Sequence, residues 1–526
     1  LILLTALVGL AYAKTIPQCV VSDWSDWSAC KGKCPQKTDG YSWDAGEGTY
    51  FDEGRVLMKM MMAEKIKMRE HFWDCMADNS CPSLLEPKWH TDGEHACVGG
   101  TADIYPCRNV DKLSFRSFVD LGTSSNAEGN DIWGWHDTEN GEDYAIVGTT
   151  TGSSMVRITD PVNIEVLGFL PSQTSSSVWR DMKVVNNHAY IVSEAANHGL
   201  QVFDLTRLRG LSADPSRSFD VDRHYPGFGN AHNIAANVDT QTLFVIGATR
   251  SGPGYTPCSG GLHMIDVSEP KNPVFQGCYS TDGYSHDVEC VTYNGPDTRY
   301  TGREICWGYN ENTLTLVDVT ERSNPVQLSR TSYTGVRYTH QGWLTPDHRW
   351  ALLDDELDEY YGTNKKTATY IWDCASLTNP IMTEIYYSPE NSIDHNMYII
   401  DRSGEWYVIQ SNYESGLRIL HASPSANRLE LTEVGYFDVL PSRTTADFAG
   451  TWSNYPYDLT NGAIAMTSIE YGFFMVGPQW DNIEAEVAAK KVYAERERWR
   501  SILHYDEGAQ CPQLRQTAHC DIVQCE

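Results

Sequence analysis

The stretch 313-TLTLVDVTERSNPVQLS-329 decides the fold, because it is one copy of a phrase that recurs along the chain. Each copy contains a short run of β-forming residues, a turn with Asp or Pro, and a second run. The other copies cover residues 153–168, 199–208, 261–277, 368–384 and 416–425. Internal repetition of short strands indicates an architecture built from similar β units.

A second phrase precedes each copy, and its versions read NDIWGW, VWRDMKV, NAHNIAA, YSHDVEC, YTHQGWL, IDHNMYI and GTWSNYP. The four central versions contain His232, His286, His340 and His395, which are 54, 54 and 55 residues apart. Period and count predict an all-β fold, a seven-bladed β-propeller of four-stranded blades over residues 108–478.

The propeller phrases closely resemble those of the choice-of-anchor B family, whose blades are related to LVIVD-type repeats. The likeness covers roughly residues 95–478, and the segments that carry it are GNDIWGW, GNAHNIA, GGLHMIDVS, GPDTRYTGREIC, YTHQGWL and LLDDELDE. That family implies an exported propeller with a variable means of surface attachment, and it brings no established activity.

The chain begins with a disulfide-rich half module, 19-CVVSDWSDWSAC-30, followed by Cys34. Two segments are candidates for its second half. The nearer one runs from Cys81 to Cys107 with wide cysteine gaps, and the farther one is the end of the chain, residues 496–525. In the farther one, Arg496, Arg498 and Arg500 alternate and so lie on one face of a strand, where guanidinium groups stack well on indole rings.

Taken together, the two ends resemble a thrombospondin type-1 repeat that is split by a long insertion. The resemblance implies stacking of Trp24 and Trp27 with the three arginines, and C-mannosylation of both tryptophans. It also implies the disulfides Cys19–Cys511, Cys30–Cys520 and Cys34–Cys525. The family's O-fucose site needs Ser or Thr between the second and third cysteines, and CKGKC has neither.

The predicted order of segments follows from these features. Residues 1–13 form an apolar run ending in an A-x-A site, which is typical of a signal peptide whose start is truncated. Residues 14–34 and 492–526 form the split module. Residues 35–107 form a helical, cysteine-rich connector, and residues 479–491 a returning helical connector. An inserted domain of this size needs its own ends close together, which a propeller provides.

Fifteen cysteines in a chain with a signal-like start predict disulfides and secretion. We expect Cys290–Cys306 on consecutive strands, Cys258–Cys278, and pairing among Cys75, Cys81, Cys97 and Cys107. Cys374 is then the odd thiol, predicted to be a buried small hydrophobe. An odd count also leaves room for a disulfide-linked or non-covalent oligomer.

The formal charge of −30 argues against nucleic acid and favours cations or basic partners. No run after the first 13 residues is apolar enough for a transmembrane helix, and the sequence contains no N-x-[ST] sequon. It also contains no G-x-S-x-G elbow, no H-E-x-x-H and no phosphate-binding loop.

Candidate site residues gather where inner strands begin and second strands end, since both lie on one face of a propeller. A ring of imidazoles and carboxylates there would hold a divalent metal such as calcium or zinc. The predicted metal ligands are His232, His286, His340, His395, Glu194 and Asp354. The predicted neighbours on the channel face are Arg180, Asp181, Asn310, Asp355, Asn412 and Glu470. A purely structural ring, and a solvated acidic turn at DDELDE, are the alternatives.

Two functions fit this pattern. The first is a secreted binding, adhesion or matrix protein, a glycoprotein that recognises extracellular proteins or glycans through a propeller face. The second is a metal-dependent hydrolase or lyase at the channel mouth, with Glu194 or Asp354 as general base.

Overall fold

The computed structural model describes residues 90–248, 258–443, 445–457 and 459–491. Its antiparallel sheets confirm the predicted seven-bladed, all-β propeller.

The chain enters through β1 (Thr101–Ala102), β2 (Tyr105–Arg108) and β3 (Val110–Ser117). Blade 1 contains β4 (Gly129–Asp137), β5 (Glu142–Thr149), β6 (Gly152–Arg157) and β7 (Glu165–Pro171). Blade 2 contains β8 (Arg180–Val185), β9 (His188–Ser193), β10 (Leu200–Asp204) and β11 (Arg223–Tyr225).

The next three blades have the same four-stranded order, each strand pairing with the one before it. Blade 3 contains β12 (Asn233–Asn237), β13 (Thr242–Ile246), β14 (Leu262–Asp266) and β15 (Val274–Tyr279). Blade 4 contains β16 (Asp287–Thr292), β17 (Glu304–Tyr309), β18 (Leu314–Asp318) and β19 (Val326–Thr331). Blade 5 contains β20 (Thr339–Leu344), β21 (Trp350–Asp355), β22 (Ala368–Asp373) and β23 (Ile381–Tyr387).

The last two blades incorporate the entering strands. Blade 6 contains β24 (Asn396–Arg402), β25 (Glu405–Ser411), β26 (Leu417–Pro424) and β27 (Leu429–Phe437), and β2 and β1 extend its outer edge. Blade 7 contains β28 (Thr451–Tyr455), β29 (Ile464–Ser468) and β30 (Gly472–Pro478), with β3 as its fourth strand. The ring therefore closes through hydrogen bonds between the first and last parts of the propeller.

The seven inner strands coincide with the seven copies of the phrase that runs from NDIWGW to GTWSNYP, four of which contain a histidine. The other recurring phrase gives the third strand of a blade and the turn after it. In four consecutive blades that strand ends in Asp, whose carboxylate accepts a hydrogen bond from the main-chain N–H two residues on; these residues are Asp204, Asp266, Asp318 and Asp373. This Asx turn explains why Asp recurs at the same position of the phrase in these four blades.

A helix covers residues 480–491, within the segment predicted as a returning helical connector. Trp480, Ile483 and Val487 are buried against the blade core at helical spacing. On the other side, Glu484 pairs with Arg402, the Nε–Oε1 distance being 2.8 Å. Amphipathic packing and ion pairs therefore attach this helix to the propeller.

The described end of the first connector is not helical. Residues 101–108 form strands, and Cys107 lies opposite Phe437 in the edge of blade 6. Cys97 and Cys107 form a disulfide, two of the four cysteines expected to pair among themselves. Residues 35–89 of the predicted helical connector, with Cys75 and Cys81, lie outside the described residues.

Two further disulfides occur at the predicted places. Cys290 and Cys306 face each other across β16 and β17, and Cys258 joins Cys278. Cys374 is a buried free thiol. In the part of the chain that the structure describes, no helix is long and apolar enough to cross a membrane.

The predicted signal peptide and both halves of the split module lie outside the described residues. This applies to residues 1–13, Cys19, Trp24, Trp27, Cys30, Cys34, Arg496, Arg498, Arg500, Cys511, Cys520 and Cys525.

Candidate metal centre

Four histidines form a row around one end of the propeller channel. His232, His286 and His395 stand immediately before the inner strands β12, β16 and β24, and His340 is the second residue of β20. The ring centroids of successive members are 4.3, 4.3 and 4.6 Å apart. All four are buried, so the sequence spacing places the imidazoles side by side inside the protein.

Three of these imidazoles are oriented by the main chain of the next blade. Nδ1 of His286 lies 3.0 Å from the carbonyl oxygen of His340, and Nδ1 of His340 lies 2.9 Å from that of His395. Nδ1 of His395 lies 2.6 Å from the carbonyl oxygen of Trp452. A carbonyl oxygen only accepts, so each Nδ1 carries the proton. In the neutral ring, Nε2 then presents its lone pair, which is the form that binds a metal.

Glu356 completes a compact group with two of the histidines. Its Oε2 lies 3.7 Å from Nε2 of His340, and its Oε1 lies 3.8 Å from Nε2 of His395. One ligand atom from each residue lies within 4.8 Å of the other two, and all three side chains are buried. The hydroxyl of Tyr413 donates to Oε1 of Glu356 at 2.7 Å, which fixes the carboxylate.

This donor set fits zinc. Two imidazole nitrogens and one carboxylate oxygen are a common set of protein ligands for Zn²⁺, and they leave one coordination position open. The carbonyls that accept from Nδ1 supply the outer hydrogen bonds that metal-binding histidines normally make. Calcium fits less well, since it takes six to eight oxygen ligands.

The space beside the histidines is small. The cavity lined by the row has a volume of about 20 Å³, enough for one water molecule or ion. Arg180 and Asp181 line it as predicted, together with Asp131, Trp179 and Trp452. These neighbours add both signs of charge to the channel without providing room for an organic molecule.

The charged neighbours are strongly affected by burial. Desolvation lowers the pKa of Arg180 to about 10, and its Nη1 lies 3.2 Å from Nε2 of His198. Desolvation raises the pKa of Asp181 well above its usual value, opposed by the ammonium group of Lys183 at 2.8 Å. Asp181, which lines the cavity, is therefore also part of a buried ion pair with Lys183.

His232 stands at the end of the row and has a different partner. Its Nδ1 lies 3.3 Å from Oε1 of Glu194, while Asn230 donates to Oε2 of the same carboxylate at 2.6 Å. The predicted neighbourhood of His232 and Glu194 is therefore present. It lies beside the group formed by His340, His395 and Glu356 and is not part of it.

Asp354 does not join the histidines, and this corrects the predicted ligand set. β21 ends at Asp355, where the chain turns, so the alternation of the strand stops and Glu356 is the carboxylate that reaches the channel. Asp354 instead lies near Asp394 and Thr369. The sequence contained the signal, because Glu356 belongs to the quoted LLDDELDE segment, but the prediction placed the ligand at the end of the second strand and not in the turn after it.

Four predicted channel residues form hydrogen bonds with neighbouring segments. Asp355 accepts from the main-chain N–H groups of Arg337 and Tyr338. Asn310 donates to Asp282, Asn412 donates to Gln410, and Glu470 accepts from the N–H of Gly450. Asp355 and Glu470 are thus held by main-chain donors, and Asn310 and Asn412 by neighbouring side chains.

The fold and its channel define a seven-bladed β-propeller with a buried group of histidine and glutamate. No protein-family model and no curated protein sequence matches the chain, so the resemblances to the choice-of-anchor B family and to thrombospondin type-1 repeats stay predictions.

Two solved structures are similar at low identity. A putative 6-phosphogluconolactonase from Bacteroides fragilis has a TM-score of 0.40 at 9% identity, over 58% of this chain and 86% of its own. A structure of COPII on membranes, the outer coat vertex, has a TM-score of 0.42 at 10% identity, over 67% of this chain and 84% of its own.

Proposed function

We propose that this protein is an extracellular binding protein whose propeller holds a zinc ion with His340, His395 and Glu356. One observation carries the metal assignment. Main-chain carbonyls of neighbouring blades accept from Nδ1 of both histidines, which leaves Nε2 of each facing the Glu356 carboxylate. The rigid ring of blades, rather than the ion, sets this geometry.

A binding role suits the channel better than catalysis does. The three ligands leave an open coordination position, which a hydrolase or lyase would need. The cavity of about 20 Å³ admits a water molecule and excludes an organic substrate. The ion therefore stabilises the propeller, whose outer faces recognise extracellular proteins or glycans.

The disulfide bonds of the described residues support secretion of the protein. Three disulfides occur in the described residues, and disulfides persist mainly in oxidising compartments. The apolar run at residues 1–13 fits export of the chain. Under this proposal the split thrombospondin-type module of residues 14–34 and 492–526 provides adhesion.

The neighbouring positions of the segments that enter and leave the described propeller support that module. The guanidinium of Arg108, near the start, pairs with Glu486 of the last helix, the Nη2–Oε1 distance being 2.6 Å. His90 stacks on Tyr471, with ring centroids 3.7 Å apart. The incoming and outgoing segments are therefore neighbours, as insertion into one small module requires.

Metal analysis of the purified chain tests the zinc proposal. After loading with Zn²⁺ and removal of excess ion, we expect about one zinc per chain in the wild type and a tenfold or greater loss of affinity in His340→Gln and in His395→Gln. His421→Gln is the matched control, because His421 is also buried beside a carboxylate, that of Glu405, away from the channel. Equal zinc content in all three variants, or no bound zinc in the folded wild type, contradicts the proposal.

A further inference from the structure

A second cavity lies at the end of the channel opposite the histidine row. The inner strands begin at that row and run away from it, and the second cavity is lined by their later residues, such as Trp133 of β4 and Trp343 of β20. Its volume is about 810 Å³, and Val238 on its wall is 62% exposed, so it opens to solvent. Cavities of about 300 to 1,000 Å³ hold small organic ligands. This end of the channel therefore has the room that the histidine end lacks.

One side of the second cavity is aromatic. Trp133, Trp343 and Tyr457 line it, and all three side chains are partly exposed. The ring of Tyr457 is adjacent to both indoles and tilted to both, with centroids 6.2 Å from Trp133 and 6.3 Å from Trp343. Tyr455, which also lines the cavity, has its ring 5.2 Å from that of Trp133. These rings come from blades 1, 5 and 7, so the closed propeller brings them together.

The opposite side is small and acidic. It contains Ala235 of β12 and Glu289 of β16, from the inner strands of blades 3 and 4. The short side chain of Ala235 leaves space where an aromatic residue would fill the channel. Oε2 of Glu289 accepts a hydrogen bond from the main-chain N–H of Leu344 at 2.7 Å. This bond places the carboxylate beside Trp343, the residue before Leu344.

The carboxylate of Glu289 has no positively charged neighbour of its own. In the part of the chain that the structure describes, no ion pair and no second hydrogen bond reaches it. Burial raises its pKa well above the usual value, and the nearby Asp287 adds to the shift. Lys183, also in the cavity wall, is engaged elsewhere, since its Nζ lies 2.8 Å from Oδ1 of Asp181. A positively charged ligand in the cavity would offset the cost of ionising this buried acid.

We propose that the second cavity binds a small molecule with a methylated ammonium group, of the kind that choline carries. The faces of Trp and Tyr rings attract such cations, and Glu289 supplies the opposite charge. Lys183 shows that these rings accept an ammonium group, because its Nζ lies 4.4 Å from the centre of the Trp133 ring. A primary ammonium has three N–H groups that need acceptors, whereas a trimethylammonium group has none and contacts the rings with its methyl groups.

The charge of the whole chain favours the same class of ligand. The formal charge is −30, which attracts cations and repels anionic molecules. The site goes beyond the proposed function. It lies at the other end of the channel from the proposed zinc ligands and does not depend on them.

Calorimetric titration of the full chain with choline chloride, at constant ionic strength, tests the proposal. We expect one choline per chain with a dissociation constant on the order of 1 mM. The uncharged molecule of the same shape, 3,3-dimethyl-1-butanol, should bind about tenfold more weakly or less, because it lacks the cation. Equal affinity for the two molecules, or no saturable binding of choline, overturns the proposal. Binding to phosphatidylcholine vesicles without binding to choline overturns the assignment to a free amine.

Substitutions on the two sides of the cavity locate the site. Trp343→Ala removes an aromatic face and Glu289→Gln removes the charge, and each should weaken choline binding about tenfold or more. The Gln side-chain oxygen can still accept from Leu344, so this variant keeps the wall of the cavity. Trp406→Ala is the matched control, because Trp406 of β25 is also partly exposed beside a carboxylate, that of Asp401, but does not line the cavity.

Two further variants make the result decisive. Trp343→Phe should recover part of the affinity lost in Trp343→Ala, because it restores an aromatic face. His340→Gln/His395→Gln should bind choline like the wild type, so failure of this proposal is distinguishable from failure of the zinc proposal. Unchanged choline affinity in folded Glu289→Gln and Trp343→Ala, with folding checked by thermal unfolding, contradicts the assignment of the site.

Discussion

Nδ1 of His340 donates a hydrogen bond to the main-chain carbonyl of His395 at 2.9 Å, although 55 residues separate the two in sequence. The propeller explains this contact, since the starts of adjacent inner strands lie side by side around the channel. The same bond joins His286 to His340 one blade earlier. The tautomer that exposes Nε2 is thus imposed by the blade repeat before any ion binds.

His286 provides a test of which histidines hold the metal. Its ring lies between those of His232 and His340, tilted to both, but is outside the group of three ligand atoms. We expect His286→Ala to keep about one zinc per chain and to lower the free energy of unfolding by about 1 to 3 kcal/mol, because the His340 carbonyl loses its donor. Loss of zinc comparable to that in His340→Gln would show that the whole row, as first predicted, binds the metal.

Because β3 closes the ring of blades by pairing with β30, we expect substitutions in β3 to lower the stability of the whole propeller. Phe115 of β3 is buried and contacts the ring of Phe474 in β30, with centroids 4.7 Å apart. Phe115→Ala should lower the free energy of unfolding by about 3 to 5 kcal/mol in denaturant titration. Val326→Ala, at a half-exposed position of the outer strand β19, should change it by less than about 0.5 kcal/mol. Similar effects of the two substitutions would mean that β3 does not lock the propeller.

We expect the buried carboxyl group of Asp438, which lies outside the candidate metal centre, to make the stability of the protein depend on pH. Burial raises its pKa from 3.8 to about 7, with Arg418 opposing the shift and Glu390 and Glu414 adding to it. The folded-state pKa is above the unfolded one, so this group's stabilising contribution is full below about pH 4 and is lost as pH rises through 7.

Asp438→Asn measures that contribution directly. The amide oxygen of Asn can still accept from the N–H of Leu440, as Oδ1 of Asp438 does at 2.8 Å. The stability gained by the variant over the wild type should be larger at pH 8 than at pH 5 by about 2 to 3 kcal/mol. Chemical denaturation of both proteins at the two pH values checks this. A constant difference would show that Asp438 is ionised throughout.

The sequence predicted the periodic part of the molecule well. The spacing of His232, His286, His340 and His395 gave the blade period, and the repeated Asp turn gave the third strands, because both repeat with the fold. Arg180 and Asp181 line the channel cavity from the start of the inner strand β8, the position from which the prediction placed them there.

The site residue that the sequence did not predict, Glu356, lies in the turn after a strand. Glu356 replaces Asp354 because the turn after Asp355 breaks the alternation, and no pattern specifies the direction of a side chain in a turn. Sites built across blades from non-repeating residues need coordinates, whereas sites built from the repeat itself do not.

Disulfide mapping tests whether the propeller is inserted into one split module. The neighbouring positions of Arg108 and Glu486 bring both ends of the described chain together. Non-reducing digestion and mass spectrometry should therefore find Cys19 linked to Cys511. Cys374 serves as the internal control, because it is a buried free thiol whose pKa burial raises to about 12, so it should appear as an unmodified thiol that is labelled only after unfolding. A bond from Cys19 to Cys75 or Cys81 would instead make the start of the chain an independent domain.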